Sequence, residues 1–178
     1  LTIKEKDMKK LILSLCLLAG ITFAGNAQKF AMVDMEYIMK NIPAFETAND
    51  QLTQISKKWQ SEVEAQSQEV QKLYKNYQTE LVFLSEDMKA KREEEIVTKE
   101  KASQDLKKKY FGADGELFKK RQSLMKPIQD EVYTAIQEIS KSKDLEMVFD
   151  KSSSMNIIFT SPKLDISDLV LQKLGYSK

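Results

Sequence analysis

The chain has 178 residues, of which 28 are Lys or Arg and 27 are Asp or Glu, so its formal net charge is +1. This near-neutral balance gives no electrostatic reason to expect a nucleic-acid partner. The sequence has no histidine, a single cysteine (Cys16) and five glycines, which excludes histidine-dependent catalytic triads, ordinary zinc sites and glycine-rich phosphate loops. The protein is therefore predicted not to be an enzyme, and we expect no catalytic residue, metal or cofactor.

The first 27 residues have the pattern of an export signal. Lys9 and Lys10 precede an apolar run at residues 11–19, and residues 25–27 are small, as at a cleavage site. The apolar run is shorter than the about 20 residues that a membrane span needs. We expect residues 1–27 to be upstream residues and a signal peptide that is removed, so that the exported chain begins near Gln28. Retention of this segment as an anchor is the alternative.

The predicted exported chain opens with a short β-like run, FAMV at residues 30–33. It passes without a loop into Met35, Ile38, Met39 and Ile42, which are spaced as one face of a helix. About a hundred residues of charged, helix-forming sequence follow before another β-prone run. The opening strand is therefore expected to find its sheet at the far end of the chain.

Two long polar segments with narrow apolar seams come next. In the first, apolar residues recur every three or four positions, and Gln66 fills the one vacancy. In the second, the seam residues recur at intervals of seven: Ile96, Ser103, Tyr110, Leu117 and Leu124. Ser85 is a suitable N-cap between the segments. The pattern predicts an antiparallel helical hairpin of roughly 60 Å with its tip near residues 83–87.

Two glycines and two prolines interrupt this regularity. Gly112 and Gly115 weaken the second predicted helix. Pro127 should kink the chain, and Pro43 should do the same before the first predicted helix. One interpretation is local irregularity that the helices tolerate. The other is that the prolines mark where the arm leaves the body and the glycines mark a bend in the arm.

After Pro127 the sequence becomes more strongly apolar. A helical face runs to about Lys141, and the β-prone runs LEMVF (145–149) and NIIFT (156–160) are spaced for a hairpin. Asp165 can cap a last short helix that ends at Gly175. The predicted fold is α+β and mostly α, with a long antiparallel helical-hairpin (coiled-coil) arm at residues 45–126. The arm stands on a small β body that both termini form, at residues 28–44 and 127–178, and so small a body is expected to associate with further subunits.

Three stretches of the sequence resemble the OmpH/Skp family of periplasmic chaperones: FAMVDMEYIMKNIPA, MKPIQDEVYTAIQEISKSKDLEMVFD and SPKLDISDLVLQKL. The resemblance covers essentially the whole exported chain. It implies a periplasmic, jellyfish-like homotrimer whose arms hold unfolded outer-membrane proteins without ATP. The resemblance also makes lipopolysaccharide or a membrane surface a candidate for a further partner.

The resemblance also suggests which residues carry these roles. It places the trimer body at six apolar residues, Phe30, Met32, Val33, Ile157, Ile158 and Phe159, and the arm tip near residues 85–92. Residues 89–126 contain twelve Lys or Arg against seven Asp or Glu, which is either a solvated face or a diffuse positive field that steers acidic clients. The candidate client-binding residues are Lys89, Lys91, Arg92, Lys107, Lys108, Lys109, Phe111 and Phe118.

The aromatic residues of the arm are expected to serve first in the seam and in packing. They are Trp59, Tyr74, Tyr77, Phe83, Tyr110, Phe111 and Phe118. Phe111 and Phe118 are offset by one from seam positions, which makes them the better candidates for exposed contact. The predicted function is an ATP-independent holdase, and the alternative is a structural coiled-coil spacer or scaffold of the envelope. A spacer would favour strict heptads, whereas the vacancies, glycines and prolines here favour a clasping arm.

Overall fold

The computed structural model of the chain describes residues 29–153 and 157–176, so the predicted signal segment lies outside the described residues. The described chain is mostly helical, with one small sheet. Its elements are β1 (Phe30–Val33), α1 (Met35–Lys40), α2 (Pro43–Glu80), α3 (Glu86–Phe111), α4 (Glu116–Lys143), β2 (Met147–Asp150), a 3-10 turn (Pro162–Leu164) and α5 (Ser167–Lys173). Among these elements, no helix has the length and apolarity required to cross a membrane.

The opening strand pairs with the far end of the chain, as predicted. β1 and β2 are parallel, with Phe30 opposite Met147 and Val33 opposite Asp150. The Ile166 N–H donates to the Met32 carbonyl over 2.9 Å, so the C-terminal segment reaches β1 as well. A parallel pair requires a long connection, and the three long helices supply it.

The predicted hairpin between residues 145–149 and 156–160 is wrong. β2 takes β1 as its parallel partner, and residues 157–160 form no strand in the part of the chain that the structure describes. Ile158 is fully exposed and Phe159 is 84% exposed, so neither side chain packs on the sheet. Two apolar runs that are close in sequence favour a hairpin, but they do not determine which strand edge each one meets.

The core lies where both ends of the chain meet. Ile38 of α1, Val132 of α4 and Val170 of α5 are fully buried and belong to one apolar cluster, which also contains Ala31 and Val33 of β1. Leu52 of α2 and Met125 of α4 extend this cluster into the base of the arm. The apolar faces of three helices therefore cover a sheet that is too small to form a core alone.

The two prolines are accommodated differently from each other. Pro43 occupies the first turn of α2, where a missing N–H leaves no helical hydrogen bond unmade. α4 continues through Pro127, with the buried residues Met125 and Ile128 on either side holding it against the core. The helix therefore does not end at Pro127, because packing of the apolar face offsets the missing donor; the predicted kink at this residue stays a prediction.

The two glycines separate α3 from α4. Gly112 follows the last residue of α3, and Gly115 precedes the first residue of α4. A Cβ atom on Gly112 would lie 2.4 Å from the Lys108 carbonyl oxygen, and one on Gly115 would lie 2.8 Å from that of Tyr110. Both positions therefore require the absence of a side chain. The glycines therefore divide this side of the arm into two helices, whereas the predicted bend in the arm stays a prediction.

A polar network joins three distant segments of the body. The Ser167 hydroxyl accepts the Asp34 N–H over 2.8 Å and donates to Asp165 Oδ1 over 2.6 Å. The Lys151 ammonium lies 2.7 Å from Asp165 Oδ2 and 3.6 Å from Asp34 Oδ2. Ser167 is buried, so its two hydrogen bonds are shielded from water. The network fixes the C-terminal segment against the junction of β1 and α1.

We expect an Asp165→Asn variant to be less stable than the wild type at pH 7, with the difference shrinking as the pH falls. Burial alone would raise the pKa of Asp165, but hydrogen bonds from Lys151 and Ser167 outweigh it and lower that pKa. A lowered folded-state pKa stabilises the protein above the ordinary Asp pKa of about 4, and the contribution is lost as pH falls through the folded-state value.

Urea midpoints between pH 7 and pH 2 measure this difference. Asp105→Asn on the exposed surface of α3 is the matched control and should match the wild type throughout. A gap between Asp165→Asn and wild type that stays constant over this range would show that the Asp165 charge does not stabilise the body.

Candidate client-binding arm

Helices α2 and α3 form an antiparallel pair joined by residues 81–85, which confirms the predicted hairpin. The 38 residues of α2 correspond to a length of about 57 Å. Ser85 caps α3 by accepting the Met88 N–H, and Glu86 and Asp87 occupy the first turn, where the helix dipole favours negative charge. The first part of α4 also packs against α2, so the returning side of the arm has two segments.

An aromatic contact joins the helices near the glycine interruption. The rings of Trp59 and Tyr110 stack with centroids 4.7 Å apart and planes 4° from parallel. The Tyr110 hydroxyl donates to Glu62 over 2.6 Å, which raises the pKa of Tyr110. Phe111 meets the Tyr110 ring edge-on at 6.4 Å. The predicted seam position Tyr110 is thus a point of contact between α3 and α2.

Polar contacts join the helices closer to the tip. The Tyr77 hydroxyl donates to Glu93, and this hydrogen bond raises the pKa of Tyr77 to about 12. The Lys99 ammonium lies 2.8 Å from Glu69 Oε1, which raises the pKa of Lys99. Each pair joins one side chain of α2 to one side chain of α3. The outer part of the arm therefore relies on polar side chains as much as on its apolar seam.

A groove of about 750 Å³ lies between α2 and α3, on the tip side of the stacked aromatic rings. The sequence pattern assigned the seam vacancy of α2 to Gln66, but Gln66 is exposed and Ser67 is half-buried instead. Ser67 and the buried Ser103 thus bring two small side chains to the same groove. The residues that line the groove include Val63, Ser67, Val70, Ser103, Lys107 and Phe111.

Replacing Ser103 with Leu is expected to stabilise the arm. Ser103 is 8% exposed and borders open space, so a longer apolar side chain can extend the seam without overpacking. Full burial of a leucine side chain contributes roughly 1.5–3 kcal/mol, so partial burial in this open groove should contribute less, and lost rotamer freedom offsets about 0.5–1 kcal/mol of that gain. Thermal unfolding followed by circular dichroism should show a rise of a few degrees. Ser61→Leu at an exposed position of α2 controls for helix propensity, and an equal rise there would contradict this account.

The predicted cationic residues divide into two groups. Lys89 lies 2.8 Å from Glu86, and Arg92 lies 3.0 Å from Glu95 and also contacts Glu80, so acidic neighbours on the arm already neutralise both. The others are exposed and form no ion pair with another described residue: Lys91, Lys107, Lys108 and Lys109. Three of these four residues follow one another at the C-terminal end of α3.

The predicted aromatic contacts are partly accessible. Phe111 is 37% exposed and Phe118 is 44% exposed, so each can both pack on the arm and meet a ligand. Tyr74 and Phe83, which the spacing assigned to packing, are instead 53% and 85% exposed. Val82 and Phe83 at the turn of the arm are also exposed and were not predicted to be, although the apolar run LVFL at residues 81–84 was the available signal.

The six predicted trimer residues do not share one surface. Met32 and Val33 are buried within the single chain. Phe30, Ile158 and Phe159 are exposed, and Ile157 is half-buried. Three of the four β1 side chains are thus buried in their own chain, and the accessible apolar side chains of this set are Phe30, Ile158 and Phe159.

Comparisons with known proteins relate nearly all of the described chain to other sequences and structures. Residues 29–174 match the family described as outer membrane protein (OmpH-like). An uncharacterised protein of Aquifex aeolicus is 28% identical over 170 residues, which are 96% of this chain and 98% of that protein. The crystal structure of a candidate outer membrane chaperone (OmpH-like) from Caulobacter crescentus superposes with a TM-score of 0.65. That match has 14% identity and covers 85% of this chain and 86% of the other, so it establishes a shared fold.

Proposed function

The chain belongs to the OmpH-like family, which is described as outer membrane protein (OmpH-like). On this basis we propose that the chain is a periplasmic holdase chaperone. In this proposal it binds unfolded outer-membrane proteins and prevents their aggregation without ATP. The family membership and the fold shared with an OmpH-like candidate chaperone support this role. The proposed division of the chain is a body at residues 28–44 and 127–178 and an arm at residues 45–126, after export and removal of residues 1–27.

The observation that carries the proposal is the exposed basic run beside accessible aromatic side chains on a long arm. Lys107, Lys108 and Lys109 are exposed directly before Tyr110 and Phe111. An unfolded barrel strand alternates apolar and polar residues, so a general binder needs weak contacts of both kinds. Exposed ion pairs contribute about 0–1 kcal/mol each, so affinity would come from many simultaneous contacts.

The test is to dilute a denatured β-barrel outer-membrane protein into buffer with and without the purified chain, in the absence of ATP and lipid. The holdase proposal expects the barrel protein to stay soluble in proportion to the added chain. A coiled-coil spacer, the alternative function, would leave its aggregation unchanged. The arm length favours neither outcome, but the exposed basic and aromatic groups favour the holdase.

We also propose that the body assembles as a homotrimer. Phe30, Ile158 and Phe159 are exposed apolar residues of a body whose own core is small. The C-terminal segment bridges the outer edge of β1 at Met32, whereas β2 pairs with no further strand among the described residues, so another subunit would cover that exposed edge. Three arms on one body would raise the effective concentration of weak client contacts. Lipopolysaccharide or a membrane surface stays a further proposed partner of the assembly.

A double variant, Ile158→Ser with Phe159→Ser, is expected to convert the trimer into monomers. The change removes two large apolar side chains that face solvent in the single chain, so it should not disturb the internal core. Light scattering measures the molar mass. Leu164→Ser, at a residue that is 41% exposed nearby in the chain, is the matched control and should leave the mass unchanged. A double variant that keeps the wild-type mass would place the subunit contact elsewhere.

A further inference from the structure

Two small side chains occupy the middle of the seam that joins the helices of the arm. In α3 the seam residues at intervals of seven are Ile96, Ser103 and Tyr110, and Ser103 is buried although its side chain is small and polar. Ser67 of α2 lines the same space, which has a volume of about 750 Å³. We call this space the seam groove. The side chains that line it include Val63, Ser67, Val70, Ser103, Lys107 and Phe111.

Contacts between the helices fix their spacing at both ends of the seam groove. On the body side, the Trp59 and Tyr110 rings stack with centroids 4.7 Å apart. On the tip side, the Lys99 ammonium lies 2.8 Å from Glu69 Oε1. The helices therefore keep their separation where the two serines leave a gap. Giving up apolar burial at a packing position lowers stability, and such exceptions to the packing pattern are typical of functional sites.

The dimensions of the seam groove restrict what can occupy it. Along α2 it extends from Gln60 to Gln71, which corresponds to about 16 Å. An extended chain rises about 3.3 Å per residue, so about five residues match this length. A strip of this length and about 10 Å wide presents on the order of 200 Å², whereas a stable interface between folded proteins needs about 800 Å² from each partner. The groove therefore suits a short extended segment and not a folded second copy.

The walls of the seam groove combine apolar side chains with hydrogen-bonding ones. Val63, Val70 and Phe111 supply apolar surface, and the glutamines at positions 60, 71 and 104 supply amide groups that both donate and accept. An extended segment outside a sheet has free backbone N–H and C=O groups, and glutamine amides can satisfy both kinds. The walls can therefore bind the backbone of a segment whose apolar side chain enters the gap.

Charged groups of both signs line the seam groove. Glu64 accepts a hydrogen bond from Gln68 over 3.0 Å, and Glu100 accepts one from Gln104 over 3.4 Å. Lys107 is exposed and forms no ion pair within the described part of the chain. The groove thus offers no single-sign field to replace the hydration that a charged side chain would lose on binding. A segment without charged residues fits it best.

We propose that the seam groove binds one large apolar side chain of an extended, uncharged client segment, in the gap beside Ser67 and Ser103. This inference rests on the proposed holdase function and deepens it, since it gives one of the many client contacts a defined place on the arm. Successive side chains of an extended segment point to opposite sides, so the apolar residue enters the groove while its polar neighbours stay in water. The contact is apolar and therefore adds to the salt-independent part of client binding.

Binding of a synthetic peptide to the purified protein tests the proposal. The probe is a fluorescently labelled, uncharged nine-residue peptide that alternates serine with leucine around a central phenylalanine, and fluorescence anisotropy measures its affinity. Ser103→Leu should weaken binding at least roughly tenfold, because the new side chain occupies the gap. Since this substitution is expected to stabilise the arm, unfolding would not account for the loss. Added salt should leave the affinity unchanged.

Two further variants separate the gap from other effects of the substitution. Ser61→Leu places the same residue at an exposed position of α2 and should bind the peptide like the wild type. Ser103→Ala keeps the gap open and makes its wall more apolar, so it should bind at least as tightly as the wild type. Equal losses in Ser103→Ala and Ser103→Leu would overturn the proposal, because the hydroxyl and not the gap would then be responsible. Unchanged binding by Ser103→Leu would overturn it as well.

Photocrosslinking locates the bound side chain directly. A second peptide carries benzoylphenylalanine at its centre, and mass spectrometry identifies the residues to which it couples on irradiation. The proposal expects the crosslinks within residues 60–71 and 100–111, the two stretches that line the seam groove. Crosslinks that are spread evenly along the arm, or that concentrate on the body, would overturn it.

The outcomes distinguish this inference from the holdase function. If the wild type keeps a denatured barrel protein soluble but the peptide does not couple to the seam groove, the holdase proposal stands and this inference fails. If the peptide couples there but the wild type leaves the barrel protein to aggregate, the holdase proposal fails, and the assignment of the groove to a client fails with it. If Ser103→Leu lowers the molar mass in light scattering, a second copy of the chain covers the groove and the inference fails.

Discussion

A Val170→Asp variant is expected to lose most of the stability of the body. Val170 is fully buried in α5, which packs against α1 and α4. An uncompensated carboxylate in such a position costs several kcal/mol, whereas a whole domain is typically stable by only about 5–15 kcal/mol. Protonating the new carboxyl would avoid the charge but would still bury an unsatisfied polar group.

Hydrogen exchange of the β1 amides and a urea titration measure this loss. Leu169→Asp introduces the same residue one position earlier, where the side chain is 38% exposed, and should change both readouts little. The comparison separates the effect of burying the new carboxylate from the effects of the helix propensity and charge of aspartate. Similar protection of β1 in both variants would mean that α5 does not hold the opening strand in the body.

The second large effect is expected on client capture. Reversing the charge of Lys107, Lys108 and Lys109 together should weaken capture of a denatured barrel protein by roughly tenfold at low salt, and added salt should mimic part of the loss. Any one of the three replaced alone should have little effect, because each exposed contact is weak. If a single lysine change abolishes capture, the site is discrete and the distributed mechanism is wrong.

The ion pairs on the arm decide which basic residues the charge-reversal variant should contain. Reversing Lys89 or Arg92 as well would place like charges beside Glu86 and Glu95, so a loss of capture there would mix binding with arm stability. The control is charge reversal at three exposed lysines of α2: Lys57, Lys58 and Lys72. This control changes the net charge by the same amount. Equal losses in both triple variants would mean that net charge, and not the run on α3, governs capture.

An aromatic double variant tests the apolar half of the same mechanism. Phe111→Ser with Phe118→Ser should weaken capture at every salt concentration, because apolar contact is not screened by ions. Together with the charge-reversal variants it divides the binding free energy into a salt-dependent part and a salt-independent part. An aggregation-suppression titration with each variant measures both parts.

Local sequence patterns determined most of the helical architecture of this protein. The polar segments with narrow seams specify helices, and Ser85 specifies where the hairpin turns, because capping and seam spacing act within a few residues. The glycines at 112 and 115 likewise mark a local break, since a side chain there would meet the carbonyls of the preceding helical turn. The apolar run at residues 30–33 also indicated a strand that had to pair far away.

Only the tertiary structure decided which distant groups meet. β2 pairs in parallel with β1 and not with the nearby residues 157–160, since the helices bring a distant strand edge beside it. The contact of Ser167 with Asp34 joins residues 133 positions apart, a distance over which no spacing rule operates. Residues of one type also differ in role: Lys89 is ion-paired whereas Lys108 is exposed, and Phe83 faces solvent although its neighbours suggested packing. Composition and periodicity state what a side chain can do, but the partners that the fold places around it decide whether it is buried, neutralised or available.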